Sequence, residues 1–186
     1  DRLAPFDGRY IRWQEPGVVS QQVSEPHRVE FVEKPGQFGR LVFGQGDLAA
    51  DVEIVRLTLD LARSAGLKDF QLNLGHVGIL APGLRALPEE QRALVRRWID
   101  RKDRGNLLRA LDRAAPEAQT LRQLAFVIGR RDALQAAHPV ATTLSRPGLE
   151  HLLALDTALP PADRAHVVYD LGEVRGLDYY TGIHFE

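Results

Sequence analysis

The chain has neither cysteine nor methionine among its 186 residues. Without thiols there is no disulfide, no thiolate nucleophile and no sulfur ligand for a metal, and a structural zinc site is not expected from the histidines that remain. His138, His151 and His166 also lack short metal-ligand spacing, so they read as satisfied surface or core histidines. The missing methionine, the start at Asp1 and a stop at Glu186 inside an expected strand lead us to expect a longer gene product, incomplete here at both ends and internally. Excess charge of either sign is absent as well. With 24 basic against 25 acidic residues the net charge is −1, which supplies no global attraction for nucleic acid. No apolar run approaches the roughly 20 residues that a membrane-spanning helix requires.

What is present is enough apolar sequence for one sizeable core, 44% hydrophobic against 26% charged residues. Three stretches differ in pattern. In residues 1–83, Arg9–Trp13 and Val29–Val32 alternate apolar and polar residues as strands do, with Pro and Gly between them. Asp47 is then a good N-cap for a helix whose stripe is Leu48, Val52, Val55, Leu59 and Ala62, and Gly66 is its stop. Phe70–Leu74 follows as a short alternating strand that Gly75 and His76 close. Gly36–Gly39 and Gly44–Gly46 lack the spacing of phosphate loops and read as turns.

Residues 84–160 read as a helical insertion. Pro88, Glu89 and Glu90 open a helix, with the acids at the positive end of its dipole, and Leu94, Val95, Trp98 and Ile99 make its apolar stripe. Leu107, Leu108 and Leu111, then Leu121, Leu124, Ala125 and Ile128, then Leu149, Leu152, Leu153 and Leu155 continue the pattern. Arg92, Arg96, Arg97, Arg101, Lys102 and Arg104 crowd one region. Acids interleave with them, which favours a solvated helix face over a nucleic-acid surface. No Ser/His/Asp nucleophile arrangement is legible.

Residues 161–186 return to strands. His166–Leu171 is rich in β-branched and aromatic residues, Gly172 and Gly176 bracket a turn, and Leu177–Phe185 reads as the return strand of a hairpin. Arg175 at the turn can grip a carboxylate or phosphate in a bidentate fork. Tyr179 and Tyr180 offer flat apolar faces with hydroxyl tips, a wall suited to imidazole or a base. Strand geometry sends the two rings to opposite faces, so only one of them can line a pocket.

The run Arg175-Gly-Leu-Asp-Tyr-Tyr-Thr-Gly182 followed by Phe185-Glu186 closely resembles the histidine-specific motif of histidyl-tRNA synthetases and their non-aminoacylating paralogues, regulatory subunits of ATP phosphoribosyltransferase. The segment from Gln37 to Leu80 resembles the same family. The resemblance implies an α+β fold, a class II synthetase-like antiparallel sheet flanked by helices with a small helical insertion. It also implies a histidine-type pocket from Gln37, Arg175, Tyr179 and Tyr180, with Tyr180 facing the ligand and sharing a concavity with Gln37, and Tyr179 beneath the sheet.

The family's active synthetases carry an Arg-x-Glu strand and then a strand of the form Gln-x-Gly-Val/Ile-Glu. Here the latter reads Gln37-Phe-Gly-Arg-Leu41, so leucine stands where the glutamate would hold the ammonium of histidine. No Arg-x-Glu appears in Val29–Glu33. A leucine accepts no hydrogen bond, and an unpaired buried ammonium costs several kcal/mol. The resemblance therefore implies a non-catalytic regulatory subunit without catalytic residues, cofactor or metal. Its implied partner is a short-form ATP phosphoribosyltransferase catalytic subunit, with histidine as effector and a homodimer within a hetero-oligomer, without specific tRNA binding or membrane attachment. With no export signal read, the expected compartment is the cytoplasm. A fragment of a histidyl-tRNA synthetase and a stand-alone synthetase-like binding protein remain open as alternatives.

Overall fold

The computed structural model describes residues 29–34, 37–42, 47–172 and 182–185. The chain divides into two compact units, Asp1–Ala50 and Asp51–Glu186. In the first, β1 (Val29–Lys34) and β2 (Gln37–Val42) form an antiparallel pair with Val29 opposite Val42, Glu30 opposite Leu41 and Lys34 opposite Gln37. Val29–Val32 is thus a strand, as its alternation implies. Gln37–Gly39 lies in β2 and is not a turn. The strand expected at Arg9–Trp13 and the turn at Gly44–Gly46 lie outside the described residues.

Helix α1 (Leu48–Ser64) begins and ends where its sequence signals place it. The Ala50 N–H donates to Asp47 Oδ1 at 3.0 Å. At the other end Gly66 takes φ 82°, and the Gly66 and Leu67 N–H groups donate to Arg63 and Ala62 carbonyls. That pair of bonds is the Schellman stop, which glycine makes without steric cost. Val55 and Leu59 are fully buried.

Among the described residues four strands make the sheet of the second unit, in the order β4 (Ile128–Gly129), β5 (Val167–Asp170), β3 (Leu72–His76), β6 (Ile183–Phe185). β3 runs parallel to β5, and the other pairings are antiparallel. The hairpin expected from residues 166–185 is corrected here: β6 pairs with β3 through Gly75 opposite His184, and β3 separates it from β5. A chain of that length between strands is not held to neighbouring positions as a two-residue turn would hold it. β3 also starts later than Phe70 and includes Gly75 and His76. The Phe70 ring stacks on His166 with centroids 4.4 Å apart.

Between β3 and β5 run α2 (Val77–Arg85), α3 (Glu89–Asp100), α4 (Arg104–Ala110), α5 (Pro116–Leu124), α6 (Arg131–Ala137), α7 (Arg146–Ala158) and α8 (Pro161–Arg164). Leu107, Leu111, Leu121, Leu124, Ala125, Leu149, Leu152 and Leu155 are fully buried, as their spacing implies. The α3 stripe is narrower than expected: Val95 and Ile99 are buried, while Leu94 is 49% exposed. Ile128 is also turned out, because it sits on the short edge strand β4.

Leu72, Leu74, Val167 and Tyr169 alternate onto one sheet face, against α7. There the buried Asp156 carboxylate accepts from Tyr169 Oη at 3.1 Å and pairs with Arg131 Nη1 at 2.8 Å. Burial foremost, and then the Asp156 charge, pushes the Tyr169 phenol above its ordinary pKa. Asp163 of α8 pairs with Arg63 of α1 at 2.8 Å and with Arg56 at 3.2 Å, tying that helix down.

Asp156→Ala leaves the Tyr169 hydroxyl buried without its acceptor. It should lower the unfolding free energy by roughly 1–3 kcal/mol, read from denaturant titration, with Tyr169→Phe costing less. His76 closes β3 and caps α2, its Nδ1 accepting the Gly78 N–H at 3.0 Å. Burial first, and then the neighbouring His151 and His184, hold its pKa down at about 4. The unfolded chain takes up this proton near 6.5 and the folded chain only near 4, so unfolding binds protons between those values and stability falls as pH drops through that window. His76→Asn keeps a cap acceptor without titrating. Its stability should fall less than that of the wild type between pH 6.5 and 4; parallel pH profiles would refute the assignment.

Candidate functional site

The second sheet face differs from the first. It carries Asn73, Gly75, Val168, Asp170 and His184, by alternation along β3 and β5 and by the pairing of His184 with Gly75. Asn73 is exposed and Val168 half-buried, so this face is the more open one. Gly75 is required by close approach: a Cβ there would collide with the His184 imidazole. The ring therefore packs against β3 at Gly75.

At the C-terminal end of β3 polar groups lie on both faces, with His76 by alternation on the α7 side. His76 sits with its ring centroid 5.5 Å from that of His151, and His151 Nε2 lies 2.6 Å from Asp51 Oδ2. Across the strand, Asp170 ends β5. Its Oδ1 accepts the Gly172 N–H at 2.8 Å, and its Oδ2 lies 2.7 Å from Lys102 Nζ. On the other side the Val77 N–H donates to the Gly182 carbonyl at 3.1 Å, which places the approach to β6 beside His76. Gly172 and Gly182 thus lie at the same end of the sheet.

Of the residues expected to form the pocket, Gln37 opens β2 in the first unit. Arg175, Tyr179 and Tyr180 lie outside the described residues. Sequence patterns missed Lys102 and Asp170, read only as one of a run of bases and as a strand residue; no local signal links residues so far apart. The pairing of Gly75 with His184 was likewise hidden, although the Gly-His ending of β3 marked the place. The histidines make no metal cluster among the described residues. His138 lies 3.4 Å from Glu150, and His166 Nδ1 lies 3.2 Å from the Phe70 carbonyl. No helix among the described residues is long and apolar enough to cross a membrane.

Comparison with known proteins agrees with this architecture. A family model described as histidyl-tRNA synthetase matches residues 17–186. The chain is 34% identical to the ATP phosphoribosyltransferase regulatory subunit of Moorella thermoacetica over 97% of this chain and 46% of that one. It is 33% identical to that of Pseudomonas paraeruginosa over 99% and 50% respectively. The chain therefore spans about half the length of these relatives. Among solved structures, an ATP phosphoribosyltransferase regulatory subunit/histidyl-tRNA synthetase from Bacillus halodurans superposes with TM-score 0.70 at 24% identity, covering 88% of this chain and 48% of that one. A histidine–tRNA ligase subunit from Alicyclobacillus acidocaldarius gives 0.57 at 21% identity over 76% and 48%. The α+β fold is that of class II synthetases. The chain belongs to the histidyl-tRNA synthetase family.

Proposed function

We propose that this chain is the synthetase-like portion of a cytoplasmic regulatory subunit that does no chemistry itself. It assembles with a short-form ATP phosphoribosyltransferase catalytic subunit and carries histidine feedback to it. The observation that carries this reading is the match over nearly the whole chain to relatives named as regulatory subunits. Leu41 supports it, because leucine replaces the carboxylate that would pair with the ammonium of histidine in a synthetase. The fold also occurs in an ATP phosphoribosyl transferase complex from Thermotoga maritima, which superposes with TM-score 0.56 at 14% identity.

In this reading histidine or a close analogue sits against the segment that leaves β5 and returns at β6. Arg175 grips its carboxylate and Tyr180 offers its face to the imidazole. The subunit forms a homodimer within a hetero-oligomer and binds no tRNA specifically. Feedback then requires only that histidine bind one assembly state better than another.

The test is catalytic-subunit activity with and without the full-length protein across a histidine titration. The protein should switch the activity on or shift histidine inhibition by roughly 5- to 150-fold, the range for coupling of ~1–3 kcal/mol. Arg175→Ala and Tyr180→Ala should weaken inhibition and leave the complex assembled, as judged by sedimentation. Failure of the wild-type protein to bind or alter the catalytic subunit would end this reading. The family model keeps one alternative in view, a histidyl-tRNA synthetase portion. Pyrophosphate exchange dependent on histidine and ATP decides it, and we expect none.

A further inference from the structure

Helix α3 turns one face to the core and one away from it. Val95 and Ile99 are buried, and the Arg92 guanidinium ties the start of the helix down by donating to the Leu87 carbonyl at 3.0 Å and the Arg85 carbonyl at 3.1 Å. Glu90, Ala93, Leu94, Arg97 and the C-cap Arg101 form the opposite stripe, because their spacing repeats with the helical period, and all five are exposed. Leu94 is 49% exposed, and Trp98 beside it is half-buried.

The charges on this stripe are sorted by position. Glu90 stands in the first turn, Arg97 in the last and Arg101 just beyond it, and none of the three forms an ion pair among the described residues. The helix dipole accounts for acid first and base last. It does not account for Ala93 and Leu94, apolar and exposed between them. Glu90 and Arg101 are eleven residues apart, about 16 Å along the helix axis. Such a stripe complements itself. Turned end for end, a second copy of the helix sets Glu90 against the partner's Arg101 and Arg101 against the partner's Glu90, and brings the two apolar middles together. Other occupants fit less well: a nucleic acid, negative throughout, would meet Glu89 and Glu90 as well as the arginines, and a parallel copy would oppose like charges.

We propose that the exposed face of α3 is a contact between two copies of this chain, packed antiparallel about a two-fold axis. Such a contact is isologous, so each pair across it occurs twice. Exposed ion pairs are individually weak, and here they fix the orientation. The attraction comes from Leu94 and Ala93, which leave water when the two helices meet. The inference concerns only how copies of this chain meet, and it stands whether or not a catalytic partner or histidine is bound.

The experiment is sedimentation of the full-length protein over a concentration series, comparing wild type with Glu90→Arg, Arg101→Glu, the double variant that carries both, and Leu94→Ser. Far-UV circular dichroism should show one fold in all of them, because the altered side chains are exposed. Each single reversal places like charges opposite each other at both ends of the contact. The largest assembly of the wild type should then fall to half its size, with its dissociation constant raised roughly tenfold or more. The double variant restores opposite charges at both ends and should associate as the wild type does, while Leu94→Ser should weaken association. Single reversals that associate like the wild type would overturn the proposal, as would a folded double variant that fails to recover or a wild type that stays monomeric at every concentration. Loss of tRNA binding or of catalytic-subunit binding in the single reversals, with self-association intact, would assign the face to that partner instead and overturn the proposal too.

Discussion

The parallel pairing of β3 with β5 is the constraint on which the second unit depends. Two parallel strands cannot be joined by a tight turn, because the chain must return to the starting edge before it can run the same way again. Residues 77–166 make that return, and they do so as a layer of short helices around fully buried leucines. The crossover thereby buries Leu72, Leu74, Val167 and Tyr169 on one sheet face. It also brings the C-terminal ends of β3 and β5 side by side, with His76 at one and Asp170 at the other.

Three acidic side chains join the layers, and each is buried or nearly so with a basic partner distant in sequence. Asp156 meets Arg131 and Tyr169, Asp163 meets Arg56 and Arg63, and Asp170 meets Lys102. Burying a carboxylate is costly, and its ion pair recovers the cost only when the remaining lone pairs are also satisfied. Such pairs add little net stability but reject alternative packings, in which a charge would be left alone. Here they tie α1 to α8, α6 and α7 to β5, and the residue after α3 to the end of β5.

A synthetase-like fold serves catalysts and non-catalysts alike, so what separates them lies in individual residues. In the proposed reading Leu41, opposite Glu30 across the β1–β2 pair, is one such residue. The kinship with regulatory subunits and the departure at Leu41 point the same way. In the proposed reading, a scaffold that keeps the motif segment but carries leucine at position 41 is suited to sensing rather than catalysis.

Much of the local structure was determined by the sequence itself. The N-cap Asp47, the stop at Gly66, the stripe of Val55 and Leu59 and the buried leucines of α4, α5 and α7 follow from capping chemistry and helical period, which act over a few residues. The motif Arg175–Gly182 and the Gln37–Leu41 strand likewise carried the family, because their identity is a matter of residue type and order. Only the tertiary structure decided the rest. It set β3 between β5 and β6 where adjacency suggested a hairpin, turned Leu94 and Ile128 outward, lowered the pKa of His76 and joined Lys102 to Asp170. Each of these depends on which distant surfaces meet. Strand order, burial and charge pairing are properties of the packed chain, and no window of neighbouring residues contains them.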